Sequence, residues 1–235
     1  MALSLQRSPK STSVEILRGD PYLAIHIERT RRPENTRITT IEFGEGKIAV
    51  NDENTNLSRR QLLCLTLSSL GLSQQEASKV VHIGVTTIKT YKGTGCSELS
   101  LKNTGVAFPR YAFGSGLWLR SKAGQSLGLR AKQAAIVDLI SLGATCERAA
   151  LELGIAHSTA KTHLSHITSN NNLHGNAAIV VGALLSGEID YYPIPGQGTQ
   201  VSPPAIDILS PHVATLLPSA TLEGFVDAGC FASIK

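Results

Sequence analysis

The chemistry-bearing side chains of this chain crowd into one short stretch. Residues 155–167 read IAHSTAKTHLSHI, with three histidines, one lysine and four hydroxyl side chains in thirteen positions. One use would be metal binding. His163 and His166 stand three apart, a ligand-compatible spacing on a helix, but no acidic or cysteine partner is fixed nearby in the sequence. A second use would be catalysis. The chain's GQS and GTG segments and its scattered serines carry no nucleophile-elbow pattern. The third use is contact with a long polar partner. Ala160, Leu164 and Ile167 recur at helical spacing, which seals one face and turns His157, Thr159, Lys161, Thr162, His163 and His166 outward. That third use is the expectation, with no enzyme activity, cofactor or metal.

The elements that must position this face are repeated in the chain. A shift of 72 positions lays residues 57–91 on residues 129–163 without a gap. Leu57 then meets Leu129, and Gln61 meets Gln133. Ser69-Leu70-Gly71 meets Ser141-Leu142-Gly143, Ala77 meets Ala149, and Ile83 meets Ile155. Thr87, Lys89 and Thr90 meet Thr159, Lys161 and Thr162. A triplet and a TxKT pattern in one register mark an internal duplication.

Each copy reads as short helices. In the second, Ala135, Ile136, Leu139 and Ile140 form the apolar stripe of a first helix, which Gly143 stops. Thr145 caps the next, with Glu147 in its first turn and Ala149, Ala150 and Leu153 inward. Gly154 turns the chain, Ile155 plugs the core, and a third helix runs from about 157 to 168. A helix, a tight glycine turn and a helix with a polar outer face make a helix-turn-helix layout.

Charge agrees with a polyanionic partner. Residues 1–60 hold ten basic against eight acidic residues, residues 61–189 hold eleven against six, and residues 190–235 hold one against four. The positive excess therefore lies over the repeats. The four cysteines, Cys64, Cys96, Cys146 and Cys230, show no CxxC pair, and Cys64 reads as a small core residue. No apolar run reaches membrane-spanning length, and MALSLQRSPKSTS lacks the apolar core of a secretion signal. A cytoplasmic, nucleoid-associated protein with no membrane contact is expected.

The segment SLGATCERAALELGIAHSTAKTHLSHI resembles the DNA-binding domain of the LuxR/FixJ/GerE regulators. The resemblance rests on Gly143, Thr145, Ala150, Ile155, Thr159, Ala160, Lys161, His163 and Ile167. GNAAIVVGALLSGEI, 175–189, looks like that family's fourth helix. The first copy carries it through Leu57, Ser58, Arg60, Gly71, Ser73, Glu76, Ile83, Thr87, Ile88 and Lys89, with Tyr91 in place of histidine. It departs from the family at Gln61 and Gln133, which replace an acidic residue. Gly84 and Ala156 stand where a serine usually caps the reading helix. Asn170, Asn171, Asn172 and Asn176 fall where Lys and Arg are usual. Gly93 and Gly95 are expected to cut the first copy's reading helix short, and Pro109 to break its fourth helix.

The resemblance implies a bacterial, mainly α protein with two tandem LuxR-type helix-turn-helix four-helix domains. A small N-terminal β-hairpin or sheet and an extended C-terminal tail complete it. Expected boundaries are a disordered 1–12, a β segment 13–56, a degenerate first domain 57–117, a linker 118–128, a second domain 129–189 and a Pro/Gly-rich tail 190–235. Within these, GEGK at 44–47 reads as a hairpin turn between ITTIEF and KIAV, not a phosphate loop. RTRRPENTR at 29–37 reads as a solvated basic loop, with a DNA-backbone arm as the alternative. HVATLL and LEGFVDAGCF read as short docking helices.

The implied function is transcription regulation through double-stranded DNA, with the two copies imitating a dimer that reads two half-sites. Implied DNA contacts are His157, Ser158, Thr159, Lys161, Thr162, His163 and His166 in copy two. In copy one they are Thr86, Thr87, Lys89, Thr90, Tyr91 and Lys92. Arg60 and Lys132 could pin the flanking backbone or serve as plain surface charges. The fourth helices would pair the copies, and a second copy of the chain could add a homodimer contact. Because the copies differ on their outer faces, the target need not be a palindrome. The alternative is an interaction module that keeps the fold without DNA binding and engages RNA polymerase or another regulator.

Overall fold

The computed structural model describes residues 11–14, 23–28, 37–52, 55–102, 104–192 and 194–195. These residues are mainly helical, with one antiparallel sheet. The strands are β1 (Ser11–Val14), β2 (Leu23–Glu28), β3 (Arg37–Phe43), β4 (Gly46–Val50) and β5 (Trp118–Lys122). The helices are α1 (Arg59–Ser69), α2 (Gln74–Val81), α3 (Val85–Glu98), α4 (Thr104–Gly114), α5 (Ala131–Ser141), α6 (Cys146–Glu152), α7 (His157–Asn170) and α8 (Gly175–Ser186). The first three helices of the second set each begin 72 positions after their counterparts, and α8 ends 72 positions after α4. The duplication read in the sequence is thus a duplication of four-helix units.

Local chemistry accounts for these boundaries. Ser58 caps α1, and Gln61 Oε1 accepts the Ser58 N–H at 2.7 Å, closing a capping box. Ser73 and Glu76 do the same for α2, and Thr145 caps α6. Gln133 repeats the motif's second half by accepting the Arg130 N–H at 3.0 Å. Gly71 and Gly143 end α1 and α5 with φ of +84° and +97°. Ile136, Val137 and Ile140 point α5 inward, while Ala135 and Leu139 are only half-buried.

Several expectations need correction. α3 is not cut short at Gly93 and Gly95; it continues to Glu98. Ile88 and Cys96 bury its inner face, and Gly95 lets it approach α1, since a Cβ there would meet Leu65 Cδ1 at 3.0 Å. Two helix glycines cost about 1 kcal/mol each against alanine, which such packing offsets. α4 is not broken by Pro109, which lies inside it. The bond lost is the one to the Gly105 carbonyl, near the helix start, and Val106 to Gly114 is buried apart from a half-exposed Tyr111. Finally, the expected linker 118–128 begins with β5. Trp118 meets Phe108 and Phe113 edge-on at 5.6 Å each, and the strand pairs antiparallel with β4.

The sheet order is β1-β2-β3-β4-β5. Ser11 and Thr12 belong to β1, inside the segment expected to be disordered. Gly44, at φ +57°, turns β3 into β4, as the hairpin expectation requires. Ile25, Ile27, Ile41 and Ile48 are fully buried, and β3 packs on α1 while β4 packs on α8. The sheet therefore leans on both four-helix units. Most of RTRRPENTR, and both expected docking helices of the tail, lie outside the described residues.

One buried core runs through both units. α4 packs against α8, α4 also against α5, and α8 also against α1. These last two contacts exchange when the copies are exchanged, which is the signature of a two-fold, isologous interface. The glycines give the same relation at atomic detail. A Cβ on Gly71 would meet the His174 carbonyl oxygen at 2.6 Å, and one on Gly143 would meet the Lys102 carbonyl oxygen at 2.8 Å. Positions 71 and 143, like 102 and 174, are one repeat apart.

Two side chains carry no signal in the sequence, and one of them lies on this seam. Arg110 of α4 is buried and crosses to the other copy. It donates to Asp138 Oδ1 at 2.5 Å, Ser141 Oγ at 2.6 Å and the Tyr192 carbonyl at 2.5 Å. Glu188 accepts the N–H groups of Leu127 and Leu129 at 2.8 and 2.9 Å and the hydroxyls of Ser126 and Ser186. Partial burial raises its pKa, but those four hydrogen bonds prevail and hold it below the usual carboxylate value.

Gly71→Ala and Gly143→Ala should each destabilise the fold by about 2 kcal/mol or more, measured by urea unfolding. Each forces a left-handed backbone onto a Cβ and pushes that Cβ into a carbonyl oxygen. Glu188 supplies stability that is complete above its unfolded pKa and fades as pH falls through its lowered folded pKa. The stability gap between wild type and Glu188→Gln should therefore be constant near neutrality and shrink below about pH 4.5.

Candidate nucleic-acid interface

α7 starts after Gly154 (φ +63°) and Ile155, whose half-buried side chain packs against the core. Ala160, Leu164 and Ile167 are sealed inward, at 0, 6 and 2% exposure. His157, Ser158, Thr159, Lys161, Thr162 and His166 are exposed, and His163 is half-exposed. The structure thus gathers all seven copy-two candidates on one helix, clear of the core. Lys132, on α5, is exposed as well.

The first copy matches it in part. Thr86, Thr87, Lys89 and Thr90 are exposed on α3, while Lys92 is half-exposed. Tyr91 and Arg60 depart from the free-surface expectation. Tyr91 packs against the core, and Arg60 Nη1 donates to its hydroxyl at 3.3 Å. This pair ties α1 to α3 and narrows the outer face of copy one.

Hydroxyl geometry repeats between copies. Thr90 Oγ1 donates to the Thr86 carbonyl at 3.1 Å, and Thr162 Oγ1 donates to the Ser158 carbonyl at 3.0 Å. Each hydroxyl spends its proton on its own helix and presents lone pairs and a methyl group outward.

The charge on the outer faces is lopsided. α7 contains one lysine, three histidines and no acidic residue; α3 contains two lysines and, at its last position, Glu98. Gln61 Nε2 donates to Glu98 at 2.8 Å. Lys161 also acts on Cys146, pulling its thiol pKa down, although burial prevails and raises it. Burial likewise pushes the Cys64 thiol up to about 11, against the opposing pull of Lys92 and Arg60. Both thiols stay protonated at neutral pH and are poor nucleophiles. Among the described residues no group of three His, Cys, Asp or Glu side chains is disposed to hold a metal, and no helix is long and apolar enough to cross a membrane.

Both outer helices start without a side-chain cap. Gly84 precedes α3 and Ala156 precedes α7, and neither makes a capping hydrogen bond. The departures seen in the sequence are thus genuine missing caps; no later residue restarts either helix. The last residue of α7 and the loop after it present Asn170 and Asn172, with Asn171 Nδ2 donating to the Leu127 carbonyl at 3.2 Å. No family model, curated protein or solved structure matches this chain.

Ala156→Ser supplies the missing acceptor and should stabilise the protein by about 1 kcal/mol, read as a raised thermal midpoint. Gly84→Ser should add only a few tenths of that scale, because glycine already tolerates the capping conformation.

Proposed function

We propose that this chain is a DNA-binding transcriptional regulator. Its two units act as LuxR-type helix-turn-helix domains paired within one chain, with α3 and α7 entering adjacent major grooves. One observation carries the proposal. The same Thr-x-Lys-Thr element is exposed on the same face of the corresponding helix in both copies, while the intervening residues are buried. Packing accounts for the buried positions and gives no reason to repeat Lys89 and Lys161.

The chemistry follows from the partner's charge. Lys89 and Lys161 neutralise phosphates and release condensed counterions, which supplies affinity and makes it salt-dependent. The hydroxyls of Thr87 and Thr159 donate to phosphate, and the first turns of α3 and α7 offer N–H donors with no side-chain cap in the way. Side chains on the N-terminal half of each helix lie nearest the base edges. With the two helices in neighbouring major grooves, half-site centres would be about 10 base pairs apart, one helical turn.

A second reading, a protein-interaction module, draws support from the Arg60–Tyr91 hydrogen bond and from the asparagines after α7. Both reduce the positive charge available to phosphates. A salt series on random duplex fragments separates the two. A regulator shows affinity that falls steeply with salt and enriches a motif. Lys161→Ala should weaken binding roughly tenfold and reduce the salt slope by about one, with a smaller loss for Lys89→Ala. Binding that ignores salt and enriches no sequence overturns the proposal in favour of the interaction module.

A further inference from the structure

The two outer helices are an internal comparison, because both sit in the same fold under the same packing constraints. Aligned one repeat apart, α3 and α7 share Thr87 and Thr159, Lys89 and Lys161, Thr90 and Thr162. Among their differences are Val85 against His157 at the first helical position and, further along, Tyr91 against His163, Lys92 against Leu164 and Thr94 against His166. Tyr91 is engaged by Arg60. Val85 is different: it is 39% exposed, one of three large apolar side chains so exposed among the described residues. His157 at the same place is exposed too.

Resting on the DNA-binding reading above, we infer that Val85 and His157 set unlike base preferences in the two halves of one target. The shared Thr and Lys residues grip the backbone of both halves alike. Residues at the N-terminal end of a reading helix contact base edges, and position one belongs to that end. A branched apolar side chain there meets the thymine methyl group, the one apolar feature of the major groove. An imidazole there offers a ring N–H to the N7 or O6 acceptors of guanine. One half-site therefore favours thymine at the position where the other favours guanine. Because the seam fixes both helices in one chain, the target is an inverted pair of unequal halves, occupied in one orientation by a single chain.

The test uses the full chain with a pool of randomised duplex DNA, sequenced after selection. Wild type should select two unlike half-sites. Val85→His should change the preference in one half only, making it converge on the other. His157→Val should do the reverse. Discrimination at the affected base pair should change on the order of tenfold. Both positions are exposed, so thermal midpoints should stay near wild type, and each variant tests the inference independently. Lys89→Ala and Lys161→Ala should lower affinity on selected and unselected duplexes alike and leave the motif unchanged. Identical halves in the wild-type motif, or a motif unmoved by Val85→His, overturn this inference alone. Absence of any selected motif overturns the DNA-binding reading and this inference with it.

Discussion

The structure depends on a reciprocal fit at two glycine turns. Gly71 and Gly143 must adopt positive φ to end α1 and α5, and they must also lack a side chain, because a carbonyl oxygen of the other copy occupies that space. One residue type meets both demands. The consequence is long-range: each copy's first turn is shaped to receive the entry to the other copy's fourth helix. A unit folded alone would expose that turn and the apolar faces of α4 or α8, where Phe108, Ala112, Ile179 and Val181 are now buried at 0% exposure. Burial of such side chains is worth roughly 1.5–3 kcal/mol each for the large ones, so pairing is integral to the fold.

The seam is two-fold in outline and unequal in detail. Arg110 of α4 reaches Asp138 and Ser141 of α5. On the opposite side the corresponding positions are Gly182 of α8 and Thr66 and Ser69 of α1. There the side chain of Leu127 fills the space beside Gly182, and the buried Thr66 hydroxyl has no hydrogen-bond partner. A buried guanidinium that satisfies three acceptors is costly to misplace. It distinguishes the correct pairing of unlike copies from a pairing of like copies between two chains, where arginine would meet arginine's own side of the seam or none. The sheet adds to the inequality by leaning on α1 and α8.

Much of the helical layout was legible because its signals are local. Glycine stops, Ser and Thr caps and the 3.6-residue apolar spacing are each properties of a few neighbouring residues. The gapless repeat then carried the boundaries of one copy onto the other. The errors share one cause. Gly93, Gly95 and Pro109 disfavour helix locally, and tertiary packing overrides them: Gly95 by close approach to Leu65, Pro109 by burial of nearly the whole of α4. β5 escaped notice because WLRSK pairs with a strand some seventy residues earlier, a contact with no local mark. The candidate face was legible in copy two, where exposure follows helical phase. It was less so in copy one, since only the folded chain brings Arg60 to Tyr91.

The helix starts bear on the proposed function. α1, α2 and α6 each receive a side-chain acceptor at the N-terminus, so this chain readily encodes caps. α3 and α7, the pair with the polar outer faces, start without one, and so do α5 after Arg130 and α8 after His174. A serine at either place would fit the extended backbone, as φ and ψ near −62° and 147° at Gly84 and −65° and 144° at Ala156 match those of Ser58 and Ser73. Stability alone favours the serine. An anion at the same N–H groups would make the cap redundant and would compete with it, since both are acceptors for the same donors. The open N–H groups at the starts of α3 and α7 leave room for such an anion under the proposed function, while α5 and α8 show that this fold also tolerates uncapped starts elsewhere.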